Sequence, residues 1–194
     1  ARGVRRTFGR GLAGLDPGYL HRQLADYANG RREHPLMRTI ALKLSDADRA
    51  KVAAYYAALP APPRGPAKPG ADGAVLFLRG DTARGLAPCA SCHGANGEGD
   101  AANPALCGQP AAYLEAQLAA WRTGRRNNDP LGEMRAISRR LSPSEARAVS
   151  AYAAGLCPSH PPDRAASRAA HRGDPRNDAS APRRHGSGSS PPAE

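Results

Sequence analysis

The chain has 194 residues, with 28 Lys and Arg against 17 Asp and Glu, a formal charge of +11, 40% hydrophobic residues and only 5% aromatic. At roughly 100–200 residues per domain, that length holds one ordinary domain or two small ones and leaves no room for a large enzyme core. With 21 Gly and 19 Pro the chain is loop-rich, and no run approaches the roughly 18 consecutive apolar residues of a membrane span.

The opening A-R-G-V-R-R-T-F-G-R has no apolar h-region, so the expectation is either a removed export signal or a truncated start. A first helix is predicted over about Pro17–Ala28. Ser45-Asp-Ala-Asp48 then resembles a capping box, with Ser at the N-cap and an acidic residue three positions on, opening an amphipathic helix. A Pro-rich, semi-rigid linker follows over residues 60–70. Beyond it, about Asp72–Arg79 reads as a helix presenting Val75, Leu76 and Phe77 before Gly80. Pro110–Trp121 puts Tyr113, Leu114, Leu118 and Trp121 on one stripe and stops at Gly124, a natural helix end. Ser142-Pro-Ser-Glu145 is a second capping box. From Pro158 the composition turns to Pro, Ser, Gly, Ala, Arg and Asp without apolar period; such a segment cannot offset its ordering entropy, and disorder is expected over 158–194.

The two central segments match one another. Leu12-Ala-Gly14, Tyr19-Leu20-x-x-Gln23-Leu24, Gly30-Arg31, Met37-Arg38-x-Ile40, Leu44-Ser45 and Val52-x-x-Tyr55 reappear in order as Leu106-Cys-Gly108, Tyr113-Leu114-x-x-Gln117-Leu118, Gly124-Arg125, Met134-Arg135-x-Ile137, Leu141-Ser142 and Val149-x-x-Tyr152. Apart from a three-residue insertion before Met134, the spacing agrees, which is the signature of a tandem duplication.

The second copy carries Pro88-Cys89-Ala-Ser-Cys92-His93-Gly94, the C-x-x-C-H sequence of c-type haem attachment. Two Cys one helical turn apart point the same way, so both sulfurs can bond haem vinyl groups while the adjacent His reaches the iron. The same residues also suit a structural disulfide, a thioredoxin-like redox pair or half of a zinc site with Cys107. The only two Met residues, Met37 and Met134, occupy matching places in the two copies. Met134 follows the motif by some forty residues, in a Pro/Gly-rich loop from Asp129, where its thioether can close the second haem face. His/Met ligation raises the reduction potential and leaves no open coordination position, which favours electron transfer over chemistry at iron.

These motifs carry a family resemblance. Gly73-x-x-x-Phe77-x-x-Gly80, Cys89-x-x-Cys92-His93-Gly94-x-Asn96-Gly97-x-Gly99, Pro104-x-Leu106-x-Gly108-Gln109, Tyr113-Leu114-x-x-Gln117-Leu118 and Met134 together resemble a class I c-type cytochrome domain. The tandem arrangement resembles the dihaem cytochromes of the c4 kind. The resemblance implies an all-α cytochrome c fold, with the helix near Phe77 crossing the last helix near Tyr152. It implies haem c bound by Cys89 and Cys92, axial ligation by His93 and Met134, and a Pro104 carbonyl accepting a hydrogen bond from the other nitrogen of His93.

The corresponding domain plan is a partial cytochrome c-like domain over 1–59 without an attachment motif, the linker 60–70, a haem domain over 71–157 and the tail. A dihaem member has a second C-x-x-C-H upstream of Leu12, for which this sequence starts too late. A truncated start, a degenerate first domain and a first half supplied elsewhere all fit; truncation fits best, because Met37, the paired helices and the cap are retained. One haem per chain is then expected, two with an upstream motif, and Met37 is an axial ligand only of a first haem.

Cys107 and Cys157 are either small buried hydrophobes or a disulfide pair. His21 reads as a surface residue and His34 as an alternative ligand in the first copy only alongside a haem. His160, His171 and His185 read as solvated, and Trp121 as helix core. Nothing accompanies the Arg excess that would suit nucleic acid, so none is expected as a partner. The resemblance implies a periplasmic setting or membrane surface, leaves peripheral membrane association open, and implies electrons received from a quinol-oxidising complex or a dehydrogenase and passed towards a terminal oxidase. The alternatives from other classes are a cytochrome subunit of a dehydrogenase complex and a zinc-binding structural module.

Overall fold

The computed structural model describes residues 11–60 and 71–156, where it is helical, with two isolated β-bridges and no strand. The linker over 61–70, Cys157 and the tail with its three His lie outside the described residues. No described helix is long and apolar enough to cross a membrane.

The first repeat consists of α1 (Pro17–Ala28), α2 (Pro35–Leu42) and α3 (Asp46–Ala58). Asp16 caps α1 by accepting the Tyr19 N–H at 2.7 Å, and Ser45 caps α3 by accepting the Asp48 N–H at 3.1 Å. In the second repeat, α4 (Ala71–Arg79) and a 3₁₀ turn (Thr82–Arg84) precede α5 (Ala90–His93); α6 (Ala111–Thr123), α7 (Glu133–Arg140) and α8 (Pro143–Ala154) repeat the order of the first. Gly124, in the left-handed region at φ 79°, ends α6 as expected. The expected box at Ser142 is complete: its hydroxyl accepts the Glu145 N–H at 3.1 Å and the Glu145 carboxylate accepts the Ser142 N–H at 2.7 Å. Arg84 locks this cap to the 3₁₀ turn, donating to both Glu145 oxygens at 2.7 and 3.2 Å and to Asp81 at 2.7 Å.

The main core lies between α4, α6 and α8, from Phe77, Leu86, Leu114, Leu141, Ala146, Val149 and Ala153. The Phe77 ring sits 5.3 Å from that of Tyr152, so α4 and α8 cross where the resemblance implied. Gly73 makes the crossing possible, since a Cβ there would fall 2.7 Å from that of Tyr152. Two expectations need correction. Val75 is 60% exposed, because the buried face of α4 runs through Phe77 with Leu76 beside it. Met134 is not in a loop: the loop ends at Gly132, and Met134 lies in the first turn of α7.

The two repeats join about an internal two-fold. The Glu33 N–H donates to the Arg125 carbonyl at 2.8 Å and the Asn127 N–H to the Arg31 carbonyl at 2.9 Å, flanking an antiparallel bridge between Arg32 and Arg126. Exchanging the repeats maps this pair of bonds onto itself. Both guanidiniums are buried. Arg32 donates to Gln23, Gln117 and the Tyr113 hydroxyl at 2.9, 2.7 and 2.9 Å, and Arg126 to Gln117, Gln23 and the Tyr19 hydroxyl at 3.0, 3.1 and 3.3 Å. Each also stacks on an aromatic ring of its own repeat, Arg32 on Tyr27 at 4.7 Å and Arg126 on Trp121 at 4.4 Å, as a weakly hydrated, planar cation can. Asn128 adds bonds to Gln23 and to the buried Asp26 at 2.9 and 2.6 Å.

Candidate functional site

Cys89, Cys92 and His93 occupy one turn. Cys89 is the N-cap of α5 and His93 its last residue, with the His93 N–H bonded to the Cys89 carbonyl at 2.9 Å. Both thiols are free, Cys92 exposed and Cys89 half-buried beside the main core. Burial pushes the Cys89 thiol up to about 11. A thioredoxin-like pair needs the opposite, a thiol with a lowered pKa.

His93 is buried, and burial holds it below the ordinary histidine range. Its Nδ1 lies 2.9 Å from the Pro104 carbonyl oxygen. A carbonyl only accepts, so Nδ1 carries the proton and donates, leaving the Nε2 lone pair to bind a metal. Gly99, at φ 65°, lets the Pro104 segment pass: a Cβ there would lie 2.5 Å from the Ala105 nitrogen. The bond from His93 is the contact that the family resemblance implies for Pro104.

Met134 and Met37, both half-buried, stand in the first turns of α7 and α2. The C-terminal ends of these short helices are clamped. Arg122 donates to the Ser138 carbonyl at 3.0 Å and to the Leu141 carbonyl, and Arg49 donates to the Ala41 carbonyl at 3.0 and 3.3 Å. His34 is the N-cap of α2; its Nδ1 accepts the Met37 N–H at 3.2 Å, which assigns that nitrogen to the helix rather than to a ligand. His21 meets Asp46 at 3.0 Å and Trp121 is core, as read from sequence.

Of the two residues read as either buried hydrophobes or a disulfide pair, Cys157 lies outside the described residues; Cys107 is disulfide-bonded, which removes it as a zinc ligand. Among the described residues no group of three or more His, Cys, Asp or Glu is placed to hold a metal ion. A buried imidazole with its proton committed to a carbonyl, and two thiols left free one turn earlier, fit covalent haem. Sequence reading missed the buried polar seam of Arg32, Arg126, Gln23 and Gln117, whose only signal is that each member recurs at the equivalent place in both repeats.

The cytochrome c family model matches residues 72–156. A thiosulfate dehydrogenase electron acceptor from Stutzerimonas stutzeri (strain A1501) is 46% identical over 151 residues, covering 75% of this chain and 69% of the relative. The crystal structure of reduced recombinant cytochrome c4 from Pseudomonas stutzeri superposes with a TM-score of 0.70 at 33% identity, over 75% of this chain and 84% of that one. A thiosulfate dehydrogenase from Marichromatium purpuratum in its as-isolated form gives a TM-score of 0.68 at 44% identity over 74% of this chain, which spans only 32% of that longer chain. The chain belongs to the cytochrome c family in its tandem c4 form, an all-α electron carrier whose cofactor is covalently bound haem c.

Proposed function

We propose that the second repeat holds one haem c through thioethers from Cys89 and Cys92, with His93 and Met134 as axial ligands, and that the protein accepts electrons from a periplasmic dehydrogenase of the thiosulfate-oxidising kind. It passes them on towards a terminal oxidase. The observation that carries the site is the Nδ1–H of His93 donating to the Pro104 carbonyl at 2.9 Å, directly after two free thiols. Met37 is the equivalent ligand for a first haem where an upstream motif supplies one.

When bound, haem supplies a one-electron ferric/ferrous couple. The protein does the rest. The Pro104 carbonyl fixes the imidazole tautomer and raises the basicity of Nε2. Phe77, Leu86 and Leu114 keep the core beside Cys89 dry. His93 and Met134 would both be iron ligands, which would leave no position for a substrate, so the work would be carriage.

The choice of a dehydrogenase as donor rests on the names of the similar proteins: one is an electron acceptor of thiosulfate dehydrogenase, and a thiosulfate dehydrogenase contains a segment of this fold. The net charge of +11 would steer encounter with an acidic partner.

The test has two parts. Protein made with cytochrome c maturation should carry covalent haem, lost in Cys89→Ser/Cys92→Ser; a colourless, zinc-containing wild type would overturn the site. Mixing with a reduced thiosulfate dehydrogenase should reduce the haem at a rate that falls with added salt. A salt-independent rate, or no reduction, would overturn the partner.

A further inference from the structure

The Pro104 carbonyl is part of a segment that the first repeat also holds. From its own repeat, the segment is tied by the Leu106 and Cys107 N–H groups, which donate to the Gly97 carbonyl at 2.9 and 3.0 Å. From the other, Ala105 packs into the first repeat's core beside Leu15, Tyr19, Leu20 and Ala53. The buried Gln109 side chain donates through Nε2 to the Gly11 carbonyl at 2.6 Å. Arg22 on α1 adds longer bonds to the Ala101 and Ala102 carbonyls at 3.3 and 3.5 Å. The main contacts are reciprocal: Gly11 and Leu15 occupy in the first repeat the places of Ala105 and Gln109 in the second, so each repeat's turn rests on the other's.

We propose that Gln109 and Ala105 are positioning residues through which the first repeat sets the reduction potential of the second site. They press the Pro104 carbonyl against His93 Nδ1. The stronger that hydrogen bond, the more basic Nε2 becomes and the more the ferric state is favoured. Loosening the seat lengthens the bond and favours the ferrous state. This rests on the reading of His93 as an axial ligand, and it makes the first repeat a tuning element rather than only a neighbour.

The experiment uses the full-length haem-loaded protein. Gln109→Leu, which installs the residue found at the equivalent place in the first repeat, removes the bond to Gly11 without adding charge. At a fixed applied potential near the midpoint it should raise the ferrous-to-ferric ratio about threefold, a positive shift of ~30 mV at 59 mV per tenfold for one electron. Exchange of the Leu106 and Cys107 amide hydrogens should accelerate in the same variant, a readout that does not depend on iron. Ala105→Gly should act in the same direction and carries the test alone if Gln109→Leu does not fold. Ser45→Ala, which removes the exposed cap of α3 and touches no residue of this seat, should lower the melting temperature and leave the potential unchanged.

A haem-bearing Gln109→Leu or Ala105→Gly protein with an unmoved potential overturns the proposal, as does an equal shift in Ser45→Ala, which would trace the effect to general loosening. Absence of covalent haem in the wild type would overturn the site reading instead, and the two failures are thus distinguishable.

Discussion

The two repeats place the same residue types in the same slots and give them different neighbours. Tyr55 and Tyr152 are equivalent, on α3 and α8. Tyr152 packs on Phe77 of α4, whereas Tyr55 is 63% exposed and, among the described residues, its ring contact is with Tyr56, edge-on at 5.4 Å. Ala41 and Ser138 are equivalent and both buried. The carbonyls at these two helix ends are taken by arginines from non-equivalent places, Arg49 on α3 in one repeat and Arg122 on α6 in the other. The site around each Met helix is thus conserved as a geometry, a carbonyl end that needs a cation, while the residue that supplies the cation has moved. The repeats are alike where they face each other and differ where the second one builds its own core.

The comparison is sharpened most by deleting the aromatic side chains. Phe77→Ala removes a fully buried ring from the main core and should cost about 3–5 kcal/mol of unfolding free energy. Tyr55→Ala, at the exposed counterpart of its partner, should stay within about 0.5 kcal/mol. Denaturant unfolding of the two variants side by side checks both. Equal losses would mean that Tyr55 is covered in solution.

The shared seam is the next place to break. Removing one buried guanidinium by Arg126→Gln forfeits its charge-assisted bonds across the interface and should cost about 2 kcal/mol. Because Arg32 and Arg126 share the Gln23 and Gln117 side-chain oxygens, each crowds the other's charge. The double variant with Arg32→Gln should therefore exceed the sum of the single losses by at least ~0.5 kcal/mol, because each single removal also relieves the crowding. Strict additivity would show that the two guanidiniums act independently.

How much of this was legible in the sequence follows from the range of the interactions. The ends of α1, the Gly124 stop and the Ser142 box were read correctly because caps act over three or four residues. The attachment turn was legible for the same reason, and the Pro104 contact through the family pattern. The short helices α2 and α7 were not read: eight residues give little period, and their starts rest on an unusual His34 cap and on Gly132 in the left-handed region. Val75 was misjudged because three consecutive apolar residues cannot share one helix face. The Arg32–Arg126 seam pairs residues far apart in sequence through neutral oxygens, a pattern with neither period nor charge complementarity to announce it.

The smallest effect separates the two final helices by pH. In the second repeat, the Arg84 guanidinium and the Ser142 N–H hold the Glu145 carboxyl down at about 2, against 4.5 for a free Glu side chain. A depressed folded-state pKa gives stability that is present above the unfolded value and is lost as pH falls through the window from 4.5 to about 2. Water reaches both partners, so the screened contribution should be no more than ~1 kcal/mol. In the first repeat, Asp48 occupies the same cap position and is lowered chiefly by the Ser45 hydroxyl and then by Lys51; among the described residues no counterpart of Arg84 ties it to another turn. Glu145→Gln should therefore flatten the acid limb of the stability profile more than Asp48→Asn does. Melting temperatures from pH 5 down to pH 2 decide it, and an equal flattening in the two variants would show that the cap alone, not the Arg84 clamp, gives the second repeat its acid sensitivity.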